Sequence, residues 1–336
     1  MPVSNNEDGK MEVGAIRLTE HGGPDVLQWQ SVDLPAPAAN EVQVRHHAVG
    51  LNYIDVYHRS GIYPTPETPC GIGMEAAGIV EAVGSDVKDM KVGDRVAYAS
   101  QPLGAYSEAR NIASDRVVLL PDEISYDQGA AMMLQGMTVE YLLQRTYQLK
   151  SGDTVLFQAA AGGVGLLFCQ WAKSIGARVI GTVGSEEKGE IAKAAGCSDV
   201  IYYRHEDVPA RVKELTDGKG VPVVFDGIGK DTWEMSLASL APRGLMVTFG
   251  NASGKVPPFD INRLSAMGSL YVTRPTLMTY TADSGEMRKS ANDLFKKVMN
   301  GDVDIKINQQ YLLREAAEAH RALEARETTG STIFNV

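Results

Sequence analysis

The sequence predicts an α/β protein of two domains, one built of short twisted strands and the other of a parallel sheet flanked by helices, and three features predict it. Residues 13–120 hold short alternating runs separated by glycines at 50, 71, 73, 78, 84 and 93, the spacing of small strands and tight corners. From residue 154 onward apolar strand-length runs alternate with helix-period segments, the pattern of βαβ units. A glycine-rich turn separates the first such strand from the first such helix.

The strands of the second domain are expected at 154–158, 178–183, 221–226 and 245–249. Between the first two, Val164, Leu167, Phe168, Trp171, Ala172 and Ile175 recur at helical spacing, and Gly176 follows as the stop. Two further helices are expected at 286–300 and 314–326, with a last strand rejoining the first domain. The domains are therefore expected at 13–130, completed by 280–336, and at 131–279. Met132, Met133 and Met137 read as helix core. The first dozen residues read as a flexible tail.

At 336 residues, with 44% hydrophobic and 22% charged residues, the chain can bury a large core. No apolar run reaches the roughly 20 residues of a membrane span, and residues 4–10 lack the apolar region of a secretory signal. Cys70, Cys169 and Cys197 have no paired spacing, so neither a disulfide framework nor a four-cysteine zinc lobe is expected, and reducing, cytoplasmic surroundings fit best. A net charge of -10 argues against nucleic acid or an anionic membrane as the main partner.

The turn Ala160-Ala161-Gly162-Gly163-Val164-Gly165 matches a dinucleotide fingerprint in which alanine replaces the first glycine. Gly162 would admit the pyrophosphate close to the backbone, Gly165 would let helix and sheet approach, and the helix N-terminus would supply unpaired N–H groups. NAD-binding folds carry an acid about 20 residues further on, to hold the ribose hydroxyls. Here that place is Gly184, which repels no 2'-phosphate, and Ser185 and Lys188 follow as possible donors. NADPH is therefore favoured over NADH. Ser185 reads equally as a helix N-cap and Lys188 as a solvated charge. Glu186 and Glu187 crowd a phosphate there, so Tyr203 or Arg204 is expected to help. Phe249-Gly250-Asn251 ends a strand where backbone groups would meet the carboxamide of a nicotinamide, or simply turn.

Gly22-Gly23-Pro24, Asn52-Tyr53-Ile54-Asp55, Val92-Gly93-Asp94-Arg95-Val96, Gly181-Thr182-Val183-Gly184 and 268–275 occur in this order with the Ala-rich turn. From about residue 15 to the end the chain resembles the bacterial NADPH:quinone reductases, zeta-crystallin-like members of the zinc-free medium-chain dehydrogenase/reductases. The resemblance implies a GroES-like catalytic domain, a Rossmann domain, and a homodimer joined through the Rossmann sheets. It implies cleft roles for Asn52, Asp55, Tyr57 and Tyr63. It implies cofactor roles for Thr138, Gly162, Gly163, Val164, Gly165, Ser185, Lys188, Tyr203, Phe249 and Arg326, with NADPH as cofactor and no flavin. Gln135 stands where the bacterial pattern has lysine and Glu140 where it has tyrosine, changes expected near the mouth of the cleft.

In the zinc alcohol dehydrogenases similar to this family, a cysteine and the histidine of a Gly-His-Glu turn bind metal. Here those places hold Asn52 or its neighbours and Met74, and an amide and a thioether do not replace thiolate and imidazole. Zinc-free reduction of a quinone is therefore expected, since a quinone accepts hydride readily and its product oxygen needs only hydrogen-bond donors. Tyr57 and Tyr63 are the nominated donors, and packed aromatics are their bland alternative. Reduction of α,β-unsaturated aldehydes or ketones is a second reading. A non-catalytic NADPH-binding protein, crystallin-like or RNA-associated, is a third.

Overall fold

The structure is a computed structural model that describes residues 11–336, so the expected tail lies almost wholly outside the described residues. Contacts divide the chain into two compact units. One comprises the stretch up to Met137, Thr281–Met299 and Ile305–Val336; the other comprises Thr138–Tyr280 and Asn300–Asp304. The first changeover falls between Met137 and Thr138, inside the helix Tyr126–Tyr141, later than the sequence suggests.

In the first unit Glu41–Leu51 is the central strand, pairing antiparallel with Glu75–Val83, Ala109–Ala113 and Ser331–Asn335. The last of these is the final strand, which returns to this unit and also pairs with Ile307–Leu312. A three-stranded sheet orders Leu27–Leu34, Met11–Leu18 and Cys70–Gly71. Alternating side chains of these strands, among them Ile16, Leu18, Val42, Val44, Val49 and Phe334, fill one core. The helix Tyr53–Arg59 starts immediately after the central strand.

The second unit is a six-stranded parallel sheet in the order Asp199–Tyr202, Arg178–Val183, Thr154–Phe157, Val221–Asp226, Leu240–Thr248, Tyr271–Thr273. Val155, Leu156, Phe157, Val223, Val224 and Phe225 are all buried, as strands covered on both faces require. The helix Gly163–Ile175 turns Phe168 onto Phe157 and Phe225, with ring centroids 4.4 and 4.8 Å apart. Each such ring contributes on the order of 2–3 kcal/mol by leaving water. Gly176 ends that helix in the left-handed conformation with φ 90°.

The strand expected at 245–249 is longer, Leu240–Thr248. Its register slips between Val221 and Val223, where Arg243 takes φ 63°, and only the part from Leu245 onward is regular. The two late helices run Ser284–Met299 and Ala316–Glu324. Met132, Met133 and Met137 are fully buried. Among the described residues no helix is long and apolar enough to cross a membrane.

Candidate active site

In the second unit the site begins with the turn after Thr154–Phe157. Gly162 is the N-cap of the helix Gly163–Ile175 and no side chain caps it, so the first-turn N–H groups remain available for an anion. The helices Glu186–Ala194 and Val208–Leu215 are capped instead by Ser185 and Asp207. A Cβ on Gly165 would lie 2.6 Å from the Ala159 carbonyl oxygen, so helix and turn approach as closely as they do only because this residue has none. Alanine at the first fingerprint position is accommodated from the next strand: a Cβ on Gly181 would sit 2.5 Å from the Ala160 methyl. Gly163 and Val164, half-buried, form the first helical turn.

At the end of Arg178–Val183 a Cβ on Gly184 would lie 2.8 Å from the Tyr203 hydroxyl and 3.5 Å from Arg204 Nε. A phenol and a guanidinium thus gather where an NAD-binding fold places its acid. Ser185 Oγ accepts a hydrogen bond from the Lys188 backbone N–H at 3.3 Å. That cap uses an oxygen lone pair and leaves the O–H to donate, so the two readings of Ser185 are compatible. The backbone N–H of Phe249 donates to the Asp226 carbonyl at 2.8 Å, and its ring lies 5.9 Å from that of Phe157. Thr138 is buried in the helix Tyr126–Tyr141. Free helix-end N–H groups, an acid-free strand end and a basic side chain beside it fit a dinucleotide with a 2'-phosphate.

In the first unit the central residue is Asn52, buried at the N-cap of Tyr53–Arg59. Its Nδ2 donates to Glu75 Oε2 at 2.5 Å, its Oδ1 accepts from Gln135 Nε2 at 3.2 Å, and its backbone N–H donates to Asp55 Oδ2 at 2.9 Å. Glu75 Oε1 accepts from the Leu134 N–H at 2.9 Å. Gln135 Oε1 accepts in turn from Ser331 Oγ at 3.1 Å. An acceptor on its nitrogen and a donor on its oxygen fix the Asn52 amide in one of its two flip states. One Nδ2 hydrogen is left for another molecule.

Burial lifts the Glu75 carboxyl to about 8, against the bonds from Asn52 and Leu134. Burial also lifts Asp55 to about 7, against the bonds from Asn52 and Tyr106. Asp55 was expected to face the cleft, yet it is fully buried. It closes the capping box of Tyr53–Arg59 and accepts from the Tyr106 hydroxyl at 2.9 Å. Arg59 Nη1 donates to His320 Nδ1 at 3.0 Å, and Tyr106 Oη lies 3.1 Å from His320 Nε2. Burial holds His320 down at about 3, so the ring is neutral and carries its hydrogen on Nε2, which donates to Tyr106. A single chain of donors therefore runs from Arg59 through His320 and Tyr106 to Asp55 and so backs Asn52.

The expected tyrosines form an aromatic run. Tyr57 is buried, Tyr63 is half-buried, and their ring centroids lie 5.0 Å apart, with the Tyr63 N–H donating to the Tyr57 carbonyl at 3.0 Å. Arg326 is exposed and takes φ 62° just after the helix Ala316–Glu324. Gln135 is buried against Asn52, and Glu140 is buried against Arg145 at 2.8 Å. Met74 is fully buried, and among the described residues no group of three or more His, Cys, Asp or Glu side chains is placed to hold a metal.

Sequence reasoning missed Glu75, Tyr106, His320 and Arg59. The first follows Met74 in the turn already singled out, and its glutamate was the available signal. The other three come from distant segments and carry no local mark.

A β-rich unit and a doubly wound parallel sheet with a dinucleotide turn define the medium-chain dehydrogenase/reductase class. Residues 38–144 match the alcohol dehydrogenase GroES-like domain family, and residues 163–297 match the family described as zinc-binding dehydrogenase. A quinone oxidoreductase of Pseudomonas aeruginosa is 54% identical over 319 residues, covering 95% of this chain and 98% of its own. The crystal structure of Escherichia coli quinone oxidoreductase complexed with NADPH has a TM-score of 0.95 at 50% identity, covering 96% of this chain and all of that one. A 2-haloacrylate reductase of a Burkholderia species is 42% identical over 329 residues, covering 96% of this chain and 98% of its own. The chain belongs to the quinone oxidoreductase family of the medium-chain dehydrogenases/reductases.

Proposed function

We propose that this protein is an NADPH-dependent quinone reductase that works without zinc or flavin. The observation that carries the reading is the Asn52 amide, fixed by Glu75 and Gln135 with one N–H to spare, at a place where thiolate and imidazole ligands are absent from the sequence. Its relatives named for quinone reduction, and the one crystallised with NADPH, support it.

Bound NADPH supplies the hydride. The first-turn N–H groups at Gly163, Val164 and Gly165 would hold the pyrophosphate, with Gly162 letting it approach the backbone, while Ser185, Lys188, Tyr203 and Arg204 would take the 2'-phosphate. The family resemblance assigns the further cofactor contacts to Phe249, Thr138 and Arg326, which would complete the site. Asn52 Nδ2 donates to the acceptor's oxygen as charge builds there, and the Tyr57 and Tyr63 hydroxyls donate alongside. Asp55 acts through Asn52, whose backbone it holds.

The exposed Tyr271 on the edge strand Tyr271–Thr273 supports assembly of two copies through the parallel sheets. Three buried free thiols support the cytoplasm as the compartment, and the net charge of -10 supports a small-molecule rather than a nucleic-acid partner.

NADPH consumption with a panel of quinones tests the function, together with Asn52→Ala and Tyr63→Phe. Both variants are expected to slow turnover while binding NADPH normally, and unchanged rates in both would remove these residues from the site. The likeness to a 2-haloacrylate reductase favours a second reading, reduction of an activated C=C bond. Relative rates on a small benzoquinone and an alkenal separate the two.

A further inference from the structure

Ala159 immediately precedes the fingerprint turn and takes φ 61°, the left-handed region, where a residue with a Cβ pays about 1–2 kcal/mol. Its backbone N–H is the start of a buried chain of hydrogen bonds. The Ala159 N–H donates to Thr182 Oγ1 at 3.1 Å, and the Thr182 hydroxyl donates to Gln158 Oε1 at 2.6 Å. Gln158 Nε2 donates to Ser236 Oγ at 2.9 Å, and the Ser236 hydroxyl donates to Asp226 Oδ2 at 2.7 Å. Thr182, Gln158, Ser236 and Asp226 are all buried. The direction is fixed at every step, because a backbone N–H can only donate at one end and the carboxylate accepts at the other.

Asp226 is itself held rigidly. Its carboxylate also accepts from the Ile228 and Gly229 N–H groups at 2.8 and 3.1 Å and from Thr232 Oγ1 at 2.7 Å. The chain thus spans the strand Arg178–Val183, the end of Thr154–Phe157, and the strand Val221–Asp226 with its following helix Trp233–Ala238. It delivers the orientation of a fully buried carboxylate to one strained backbone amide. The next N–H, that of Ala160, is fixed by the Thr182 carbonyl at 3.0 Å, and the Ala159 carbonyl accepts from the Gly162 N–H at 3.0 Å. The peptide that Thr182 pins therefore sets where the turn begins.

We infer that Thr182, Gln158 and Ser236, anchored on Asp226, are positioning residues that hold Ala159 left-handed and so keep the turn 160–165 preorganised for the dinucleotide. None of them is needed to touch the cofactor. The inference rests on the reading that this turn binds NADPH, and it adds a cause for the turn's shape before binding. Removing the Thr182 hydroxyl leaves the Ala159 N–H and Gln158 Oε1 unsatisfied in the interior and frees Ala159 to relax from its strained conformation.

The test measures NADPH binding directly, by the change in nucleotide fluorescence, in the full-length wild type and in Thr182→Val, Thr182→Ser, Ser236→Ala and Ala159→Gly. Thr182→Val and Ser236→Ala are expected to raise the Kd roughly fivefold, the fold-change that about 1 kcal/mol of lost preorganisation gives. Thr182→Ser keeps the hydroxyl and is expected to bind as the wild type does. Ala159→Gly makes the left-handed conformation free of cost, so Thr182→Val in its background is expected to lose less affinity than it does alone. Amide exchange across 159–165 in the nucleotide-free protein is expected to quicken in Thr182→Val, which reads the turn without any ligand. Equal Kd values and equal exchange in wild type and Thr182→Val overturn the inference, as does additivity of Thr182→Val with Ala159→Gly. A wild type that fails to bind NADPH instead removes the functional reading, a different and recognisable result.

Discussion

Asn52 Nδ2 and Glu75 Oε2 are 2.5 Å apart in the interior of the first unit, and that bond decides which end of the Asn52 amide carries the spare N–H. Both oxygens of the Glu75 side chain accept, Oε2 from Asn52 and Oε1 from the Leu134 N–H, so one side chain serves both donors.

Glu75→Gln is expected to slow quinone reduction roughly tenfold, because a carboxamide offers one accepting oxygen to two donors and its NH2 faces the other donor, a mismatch of about 1–2 kcal/mol. NADPH affinity is expected to stay unchanged, since the nucleotide turn belongs to the other unit. Steady-state kcat measured beside the fluorescence Kd checks this, and a selective loss of NADPH binding would contradict it.

Stability is expected to peak in mildly acidic solution. Glu75 and Asp55 hold protons up to about 8 and about 7 in the folded protein, against 4.5 and 3.8 ordinarily. The folded state thus binds more protons than the unfolded one between those limits, and stability falls as pH rises through that window. His46 and His320 act in the opposite sense, lowered by burial from 6.5 to about 3, so their contribution is lost as pH falls below about 6.5. Melting temperatures across pH 4 to 9 are expected to show both limbs, with Glu75→Gln flattening the alkaline one. An alkaline limb of the same slope in that variant would assign it elsewhere.

Gly184→Asp is expected to weaken NADPH binding by roughly tenfold to a hundredfold and to narrow or reverse the preference over NADH. The new carboxylate repels the 2'-phosphate, and its Cβ must displace the Tyr203 hydroxyl, 2.8 Å away. Dissociation constants for the two nucleotides measure it, and a preference left as it was would clear this strand end of any part in the choice.

Gly165→Ala forces a methyl to within 2.6 Å of the Ala159 carbonyl oxygen, a backbone atom that cannot step aside alone. A loss of about 1–3 kcal/mol of stability is expected, with NADPH affinity falling at the same time. Gly162→Ala meets only one atom at 3.3 Å and is expected to cost less stability. Denaturant titrations of the two variants compare them, and equal losses would separate the close approach from its assigned cause.

Local patterns made much of this protein legible. The helical spacing of Val164, Leu167, Phe168 and Trp171, the stop at Gly176 and the glycines at 162 and 165 placed the dinucleotide turn between its strand and helix, because periodicity and turn chemistry act over a few residues. The missing acid at Gly184 was visible for the same reason. The tertiary structure alone decided what stands around Asn52: Glu75, Gln135 and, through Asp55 and Tyr106, His320 and Arg59 meet there from segments up to 261 residues apart. It also turned Gln135 and Glu140 inward and left Asp55 as a buried cap. A buried polar side chain takes the partner that the fold brings within about 3 Å, and distance along the chain carries no record of which one that is.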